Sequence, residues 1–142
     1  MSADPHRPLS VLVVDDHEEG AQSTAELLRL CGYAVRIATC GLAALHEVAA
    51  AMPDVVLLDI GLPDMSGWVV AERMRAQAQG RQPLVVAVTG YAADEDQRRS
   101  GDAGIDLHLV KPTDPTALVE LLASIHRNLL AHRADLPPGN RS

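Results

Sequence analysis

Aromatic side chains are scarce in this chain, because its 142 residues include no Phe, two Tyr and one Trp. A core without large aromatic rings has to be built from aliphatic residues, as in the Val-, Ile- and Leu-rich parallel strands of α/β proteins. A chain of this length fits one domain, which can bury roughly two thirds of its unfolded surface without disulfide bonds. The shortage of aromatic residues therefore favours a single α/β domain.

Other shortages exclude whole classes of function. The two cysteines, Cys31 and Cys40, are too few for a zinc site and are expected to be reduced packing residues. No apolar run approaches the roughly 20 residues that cross a bilayer, and no signal peptide is seen, so a cytoplasmic location without a membrane role is expected. The basic residues are dispersed and the net charge is −7, which argues against direct nucleic-acid binding.

What the chain does contain is a regular alternation of short apolar runs with stretches of helical period. We predict a lead-in at residues 1–9, one domain at 10–130 and a flexible tail at 131–142. Strands are predicted at 11–14, 34–38, 55–58, 84–88 and 107–110. Helices are predicted at about 18–31 with Gly32 as the C-cap, at 41–50, from a cap at Ser66 onward, at 92–100, and from 114 or 115 to 130.

Polarity along the strands predicts their order in the sheet. Arg36 interrupts the second apolar run and His108 interrupts the fifth, whereas the other three runs are unbroken. A strand buried on both faces is continuously apolar and an edge strand tends to alternate, so the second and fifth strands are expected at the edges. With right-handed crossovers this favours a five-stranded parallel sheet of order 2-1-3-4-5 in a three-layer, flavodoxin-like α/β fold.

The residues that end these strands carry the chemistry. Asp15 and Asp16 follow the first strand and Asp59 follows the third, so their carboxylates are expected to converge at one edge of the sheet. Carboxylates in such a group repel one another unless a cation lies among them, and a hard ion such as Mg²⁺ suits oxygen ligands. Thr89 and Lys111 end the fourth and fifth strands and add a hydroxyl and a positive charge. The set suits phosphoryl transfer, with Asp59 as the candidate acceptor.

Four segments occur in an order and at a spacing typical of one family. They are 13–16 (VVDD), 57–67 (LLDIGLPDMSG), 88–91 (VTGY) and 109–112 (LVKP). Over about residues 10–130, the chain resembles the receiver domain of two-component response regulators, of the CheY-like kind.

The resemblance implies that Asp59 accepts a phosphoryl group from a phosphohistidine on a sensor histidine kinase or a histidine phosphotransfer protein. Asp16, Asp59 and the backbone carbonyl of Gly61 would bind Mg²⁺ directly, and Asp15 would act largely through metal-bound water. Lys111 would hold a phosphoryl oxygen. On this interpretation the chain is a signalling domain that catalyses only its own phosphorylation and dephosphorylation.

The resemblance also implies a conformational switch. Thr89 would move toward the phosphoryl group and His108 would swing inward, altering the face made by the fourth predicted helix, the fifth strand and the last helix. A downstream protein would bind this face, and the chain is expected to be a monomer or a weak homodimer. His108 stands where the family commonly has Tyr or Phe, and an imidazole can titrate near neutral pH. The peptide bond between Lys111 and Pro112 is expected to be cis.

Two further positions bear on the lifetime of the phosphorylated form. Gly61 and Tyr91 lie two residues beyond Asp59 and Thr89, where the family tunes hydrolysis of the acyl phosphate. Gly61 has no side chain that could orient water, and Tyr91 can cover the phosphoryl group. Slow to moderate hydrolysis is therefore expected.

The same residues have other interpretations. Taken alone, Asp15 and Asp16 are equally well explained as the acidic start of a helix. A phosphatase of the haloacid dehalogenase type also uses a strand-end aspartate with Mg²⁺, but it has a second aspartate where this chain has Gly61. A nucleotide- or flavin-binding module needs a loop rich in Gly or Ser/Thr after the first strand, and this loop is acidic instead.

The sequence assigns no chemical role to the remaining polar residues. Asp64 is predicted to lie in a turn. The other histidines lack ligand spacing with one another and are predicted to lie on the surface. They are His6, His17, His46, His126 and His132.

Two kinds of receiver fit the chain. It begins with Met1 and carries no pattern of an output domain after residue 130, so a single-domain response regulator is the simpler expectation. A receiver excised from a hybrid histidine kinase is the alternative, which the linker-like segment 137–139 leaves open.

Overall fold

The structure is a computed structural model that describes residues 8–77, 82–89, 104–110 and 114–135, with the side chains of the last helix described as far as Leu129. The predicted helix at 92–100 and the predicted site residues Tyr91, Lys111 and Pro112 lie outside these ranges. Both cysteines are free thiols, as expected, but Cys31 is exposed, so the prediction that it is a packing residue is wrong, whereas Cys40 is partly buried.

Each predicted strand is present, with bounds that differ from the prediction by at most one residue. The strands are β1 (Ser10–Val14), β2 (Ala34–Ala38), β3 (Val55–Asp59), β4 (Leu84–Thr89) and β5 (Leu107–Val110). The described helices are α1 (Glu18–Leu30), α2 (Gly41–Ala50), α3 (Gly67–Gln77) and the C-terminal helix (Pro115–Asp135).

The C-terminal helix continues past the end predicted for it at residue 130. The additional residues are Ala131, His132, Arg133, Ala134 and Asp135, none of which breaks a helix, and the first proline comes only at Pro137. Within the part of the chain that the structure describes, no helix combines the length and apolar composition needed to cross a bilayer.

The five strands form one parallel sheet of order β2-β1-β3-β4-β5, which confirms the predicted order. The edge strands are the two that carry a polar residue at their centre, β2 with Arg36 and β5 with His108. β1 and β3 are neighbours in register, with Val14 opposite Leu58. The loop that begins at Asp15 therefore lies beside Asp59, the last residue of β3.

Helices cover both faces of the sheet, because alternate residues of the buried strands point to opposite sides. On one face the strand residues pack with α2 and α3, and on the other with α1 and the C-terminal helix. β3 is buried along its whole length, from Val55 to Asp59. A strand packed on both faces holds its terminal residue rigidly, and here that residue is the predicted phosphoryl acceptor.

Helix ends are fixed by the residues predicted to cap them. Gly32 has a φ of 94° after α1, and the N–H of Tyr33 donates to the carbonyl of Leu28 at 3.1 Å, which closes the helix in a Schellman motif. Ser66 precedes α3, and its Oγ accepts from the Val69 N–H at 3.3 Å. Both predicted caps are confirmed.

Arg36 has a structural role on the edge strand. Its Nη1 donates to the Glu47 carboxylate at 2.8 Å and to the Glu47 carbonyl at 3.0 Å, and its Nη2 donates to the Ala51 carbonyl at 2.5 Å. These carbonyls lie in the last turn and at the C-cap of α2, where the Glu47 carbonyl also accepts from the Ala51 N–H at 3.0 Å. The polar interruption that marks β2 as an edge strand also anchors α2 to it.

Candidate functional site

The candidate site lies where β1 and β3 end side by side at the middle of the sheet. Asp15 follows β1 directly, and its backbone N–H donates to the Ala38 carbonyl at 3.0 Å, which joins the loop to the end of β2. Asp59 is the final residue of β3 and is 7% exposed. Connections leave adjacent strands toward opposite faces at this point, and open α/β sheets bind ligands in the crevice that results.

The predicted carboxylates do converge here. One ligand atom from each of Asp15, Asp16, His17 and Asp59 lies within 4.8 Å of the others. Exposure rises outward across the group, because the Asp15 and Asp16 side chains are 23% and 32% exposed and His17 is 75% exposed. Three carboxylates at this separation, one of them buried, form an oxygen donor set that fits a hard divalent cation such as Mg²⁺.

Gly61 lies beside the Asp59 side chain. Its N–H donates to Asp59 Oδ1 at 2.9 Å, so the first residues of the β3–α3 loop fold back onto the carboxylate. A Cβ at Gly61 would lie 3.8 Å from the same oxygen, which is an ordinary contact. A side chain at this position would therefore lie next to Asp59, where the family resemblance implies that residue identity tunes hydrolysis.

A cleft of about 490 Å³ adjoins the carboxylates on the side of the sheet covered by α1. Asp15 and Asp59 line it together with Gly20 and Thr24 of α1 and with apolar strand residues such as Leu57. Asp59 therefore borders an open cleft at the carboxyl ends of the central strands, so a reacting group can approach it from solvent.

The two predicted switch residues lie on neighbouring strands. Thr89 is the last residue of β4 and is half-buried. His108 pairs with Ala87, two residues before Thr89, so His108 and Thr89 share one face of the sheet. The Nε2 atom of His108 is buried with no hydrogen-bond partner among the described residues.

The structure adds two residues to which the sequence analysis gave no role. His17 was predicted to be a surface residue without chemistry, but its Nδ1 lies 3.3 Å from Asp15 Oδ1 and 3.2 Å from Asp16 Oδ1. The position of His17 directly after the two aspartates is the sequence signal for this contact. Spacing between histidines does not reveal it.

The second addition is Asp64, in the loop between β3 and α3. Its carboxylate accepts from the backbone N–H of Gly41 at 2.8 Å and from that of Leu42 at 2.9 Å. These are the first residues of α2, whose N–H groups lack intrahelical partners. Asp64 therefore ties the loop that follows Asp59 to the start of α2. The hydrogen bonds from Gly41 and Leu42 lower the pKa of the Asp64 carboxyl below its ordinary value of 3.8.

We expect Asp64→Ala to unfold at a lower urea concentration than wild type at pH 7, because two N–H groups of α2 lose their acceptor. A lowered folded-state pKa means that this stabilisation is present above the ordinary value of 3.8 and is lost as pH falls through the folded pKa. The gap between wild type and Asp64→Ala should therefore close at strongly acidic pH. Urea titrations monitored by circular dichroism at several pH values measure it.

Asp64→Asn is the matched control, since its side-chain oxygen still accepts but does not titrate. This variant should be more stable than Asp64→Ala at pH 7. Curves of stability against pH that stay parallel for wild type and Asp64→Ala down to strongly acidic pH would contradict the assigned role.

Fold and site together define a parallel α/β domain with an acidic crevice at the switch point of its sheet, whose carboxylates fit a divalent cation. Comparison with known proteins gives the family. The family model for the response regulator receiver domain matches residues 11–123. The chain belongs to this family and is a receiver domain of two-component signalling. Receiver domains interact with histidine kinases or phosphotransfer proteins.

Curated relatives are of two kinds. The chain is 31% identical over 117 residues to the polar-differentiation response regulator DivK of Brucella anthropi, covering 82% of this chain and 95% of DivK. It is 34% identical over 122 residues to the sensor histidine kinase RcsC of Salmonella typhi, covering 86% of this chain. The match spans only 13% of RcsC.

Solved structures agree with the fold. The CheY-like receiver domain protein of Methanospirillum hungatei JF-1 superposes with a TM-score of 0.78 at 30% identity, covering 90% of this chain and 98% of that one. The Vibrio cholerae chemotaxis protein CheY4 superposes with a TM-score of 0.79 at 28% identity, covering 84% and 99%. The predicted CheY-like fold and family are confirmed.

Proposed function

We propose that the chain accepts a phosphoryl group on Asp59 from a phosphohistidine, with Mg²⁺ held by the adjacent carboxylates. The observation that carries the proposal is the convergence of Asp15, Asp16 and Asp59 in a chain of the receiver family. Receiver domains generally bind Mg²⁺, and the carboxylate oxygens present here suit that ion.

In this proposal Asp59 supplies the acceptor atom and phosphohistidine is the donor. An oxygen of the Asp59 carboxylate attacks phosphorus in line with the phosphorus–nitrogen bond of phosphohistidine. The new phosphorus–oxygen bond forms as the phosphorus–nitrogen bond breaks, and the imidazole of the donor leaves. Asp16, Asp59 and the Gly61 carbonyl would hold Mg²⁺ directly, and Asp15 would hold it through water. The ion supplies positive charge that offsets the charge of the phosphoryl oxygens.

Burial of Asp59 supports its role as the acceptor. A carboxylate at the end of a strand buried on both faces has a fixed position, which in-line attack requires. The side chains of Asp15 and Asp16 are more exposed than that of Asp59. They are therefore better suited to bind an ion that keeps some of its water than to act as the phosphoryl acceptor. We assign Lys111 to a phosphoryl oxygen on the strength of the family resemblance.

Thr89 and His108 are proposed to carry the response to phosphorylation. Both lie on the same sheet face beside the site, so a shift of the Thr89 hydroxyl toward a phosphoryl oxygen frees space into which His108 can turn. Nε2 of His108 is buried and has no partner among the residues that the structure describes, and a buried nitrogen that loses its bonds to water without replacing them is costly. A downstream protein is proposed to bind the face that contains β5.

A diffusible single-domain response regulator is the favoured form of this function. The match covers 95% of DivK and 82% of this chain, so it includes nearly the whole of that response regulator. The match to RcsC keeps a receiver from a hybrid histidine kinase as the alternative. Gly61 and Tyr91 support slow to moderate hydrolysis of the phosphorylated form in either case.

Small phosphoryl donors test the proposal without a known kinase. We expect wild type to gain the mass of one phosphoryl group from phosphoramidate, whose phosphorus–nitrogen bond mimics phosphohistidine, when Mg²⁺ is present. Intact mass spectrometry measures the gain, and borohydride reduction followed by peptide mapping locates it at Asp59. A sample with EDTA in place of Mg²⁺ is the control and should stay unmodified.

The same samples report the lifetime. After removal of the donor, the added mass should persist well beyond the first seconds. Modification that is independent of Mg²⁺, or that maps to a residue other than Asp59, would overturn the proposed function. Loss of the label within seconds would contradict only the proposed roles of Gly61 and Tyr91.

A further inference from the structure

His17 occupies the N-cap position of α1 but does not cap the helix. Its backbone has φ −86° and ψ 96°, the extended conformation usual at this position, and its side chain makes no capping hydrogen bond. The imidazole instead turns back, with Nδ1 at 3.3 Å from Asp15 Oδ1 and 3.2 Å from Asp16 Oδ1. The ring nitrogen therefore belongs to the same group of potential ligand atoms as the three carboxylates.

We propose that Nδ1 of His17 is a ligand for divalent transition-metal ions in this site, so that it raises the affinity for Mn²⁺ and Co²⁺ without raising the affinity for Mg²⁺. The inference rests on the proposed function, because it concerns the ion held by the same carboxylates. It makes His17 a determinant of which metal this receiver takes.

The separations between the ligand atoms fit a shared ion. Metal–oxygen and metal–nitrogen bonds of about 2.0–2.2 Å place neighbouring ligand atoms of an octahedral ion about 3 Å apart. Nδ1 lies 3.2 Å from Oδ1 of Asp16, a proposed direct ligand, so a small adjustment brings both atoms to one ion. The His17 side chain is 75% exposed, which gives the ring freedom to make that adjustment.

The chemistry of the nitrogen decides which ions benefit. Mg²⁺ is a hard cation that prefers oxygen ligands and keeps several waters, so an imidazole adds little to its binding. Mn²⁺ also suits oxygen ligands but accepts imidazole more readily than Mg²⁺, and the affinity of a mixed nitrogen and oxygen site rises from Mn²⁺ to Co²⁺. A site of three carboxylates alone would not distinguish these ions to the same degree.

The competing explanation is an ion pair between His17 and the two aspartates. Exposed ion pairs of this kind contribute little to stability. An ion pair predicts that His17 has no effect on the ratio of Mn²⁺ to Mg²⁺ affinity, whereas a ligand predicts a large one.

Equilibrium titrations with MgCl₂, MnCl₂ and CoCl₂ at one fixed pH separate the two explanations. His17→Ser removes the imidazole and leaves a residue that is favoured at a helix N-cap, so the fold is retained. We expect this variant to bind Mn²⁺ and Co²⁺ at least about tenfold more weakly than wild type, with Mg²⁺ affinity within about twofold. His46→Gln, which removes an exposed histidine of α2, is the matched control and should bind like wild type.

Pulsed electron paramagnetic resonance of bound Mn²⁺ gives a readout independent of affinity. Coupling to an imidazole nitrogen should be present in wild type and in His46→Gln, and absent in His17→Ser. Equal Mn²⁺ to Mg²⁺ ratios in wild type and His17→Ser, with Mg²⁺ still bound, would overturn the role of His17 and leave the proposed function intact. Failure of wild type to bind any of the three ions would overturn both.

Discussion

Asp59→Asn is expected to abolish phosphorylation of the chain by phosphoramidate in the presence of Mg²⁺. An amide lacks the anionic oxygen that attacks phosphorus, and it removes the innermost of the three carboxylates that surround the proposed ion. Intact mass spectrometry under conditions that modify wild type is the measurement. Modification of the variant to the wild-type level would show that Asp59 is not the acceptor.

The same variant should also lose the stabilisation that Mg²⁺ gives to wild type. A ligand that binds only the folded state adds about 2.7 kcal/mol to the unfolding free energy at 100 times its dissociation constant. Most of this increment should vanish in Asp59→Asn at the same Mg²⁺ concentration, because fewer carboxylates hold the ion. Thermal or urea unfolding with and without Mg²⁺ measures the difference.

Asp54 provides the matched control, because it directly precedes β3, at the opposite end of the strand from Asp59. It is 4% exposed and its Oδ2 accepts from the Ser10 N–H at 2.8 Å. Asp54→Ala removes that acceptor and should cost about 1–3 kcal/mol of unfolding free energy. Since Asp54 lies away from the carboxyl ends of the strands, the variant should keep its phosphorylation and its stabilisation by Mg²⁺. Loss of both in Asp54→Ala would mean that the assays report general damage.

The core of the site could be predicted because it depends on strand pattern alone. Parallel strands bring their carboxyl ends to one edge, so an apolar run that ends in Asp15 and another that ends in Asp59 imply a meeting of the two. The edge positions of β2 and β5 also followed, from Arg36 and His108, because burial on both faces excludes such residues from the central strands.

Contacts set by side-chain direction or by distant parts of the chain could not be predicted in this way. Asp64 caps α2 from 23 residues beyond Gly41, and no local pattern encodes that pairing. The ring of His17 points to the aspartates instead of the helix, which depends on a side-chain rotamer. Sequence patterns specify which elements form and which faces are buried, whereas hydrogen bonds between loops depend on the assembled structure.

Gly67→Ala is expected to destabilise the fold and to disturb the site, although alanine is ordinarily the better helix former. Gly67 is the first residue of α3, and its N–H donates to the Ile60 carbonyl at 2.9 Å. A Cβ at this position would lie 2.7 Å from Ile60 Cα and 2.9 Å from the Asp59 carbonyl oxygen. Neither atom belongs to a flexible side-chain end, so the start of α3 has to move away from the end of β3.

The expected destabilisation by Gly67→Ala arises from the close approach of the new Cβ to the backbone of Asp59 and Ile60, and not from the backbone conformation at Gly67. Among the described glycines only Gly32 and Gly104 have positive φ, so the backbone at Gly67 is open to alanine. We expect overpacking of this kind to lower the unfolding free energy by about 1–3 kcal/mol. Because the crowded atoms include the carbonyl oxygen of Asp59, the affinity for Mg²⁺ should fall as well. Urea unfolding and Mg²⁺ titration of the same samples measure the two effects.

Gly20→Ala makes the same substitution on the other side of the site with the opposite expected sign. Gly20 is exposed in α1, and a Cβ there would lie 3.9 Å from His17 Cβ and 4.0 Å from Asp15 Oδ2, which are ordinary contacts. Helix propensity should then raise the unfolding free energy by about 0.5–1 kcal/mol. Stabilisation by both substitutions would mean that α3 can shift without cost, and that packing of its first residue against β3 does not fix the position of Asp59.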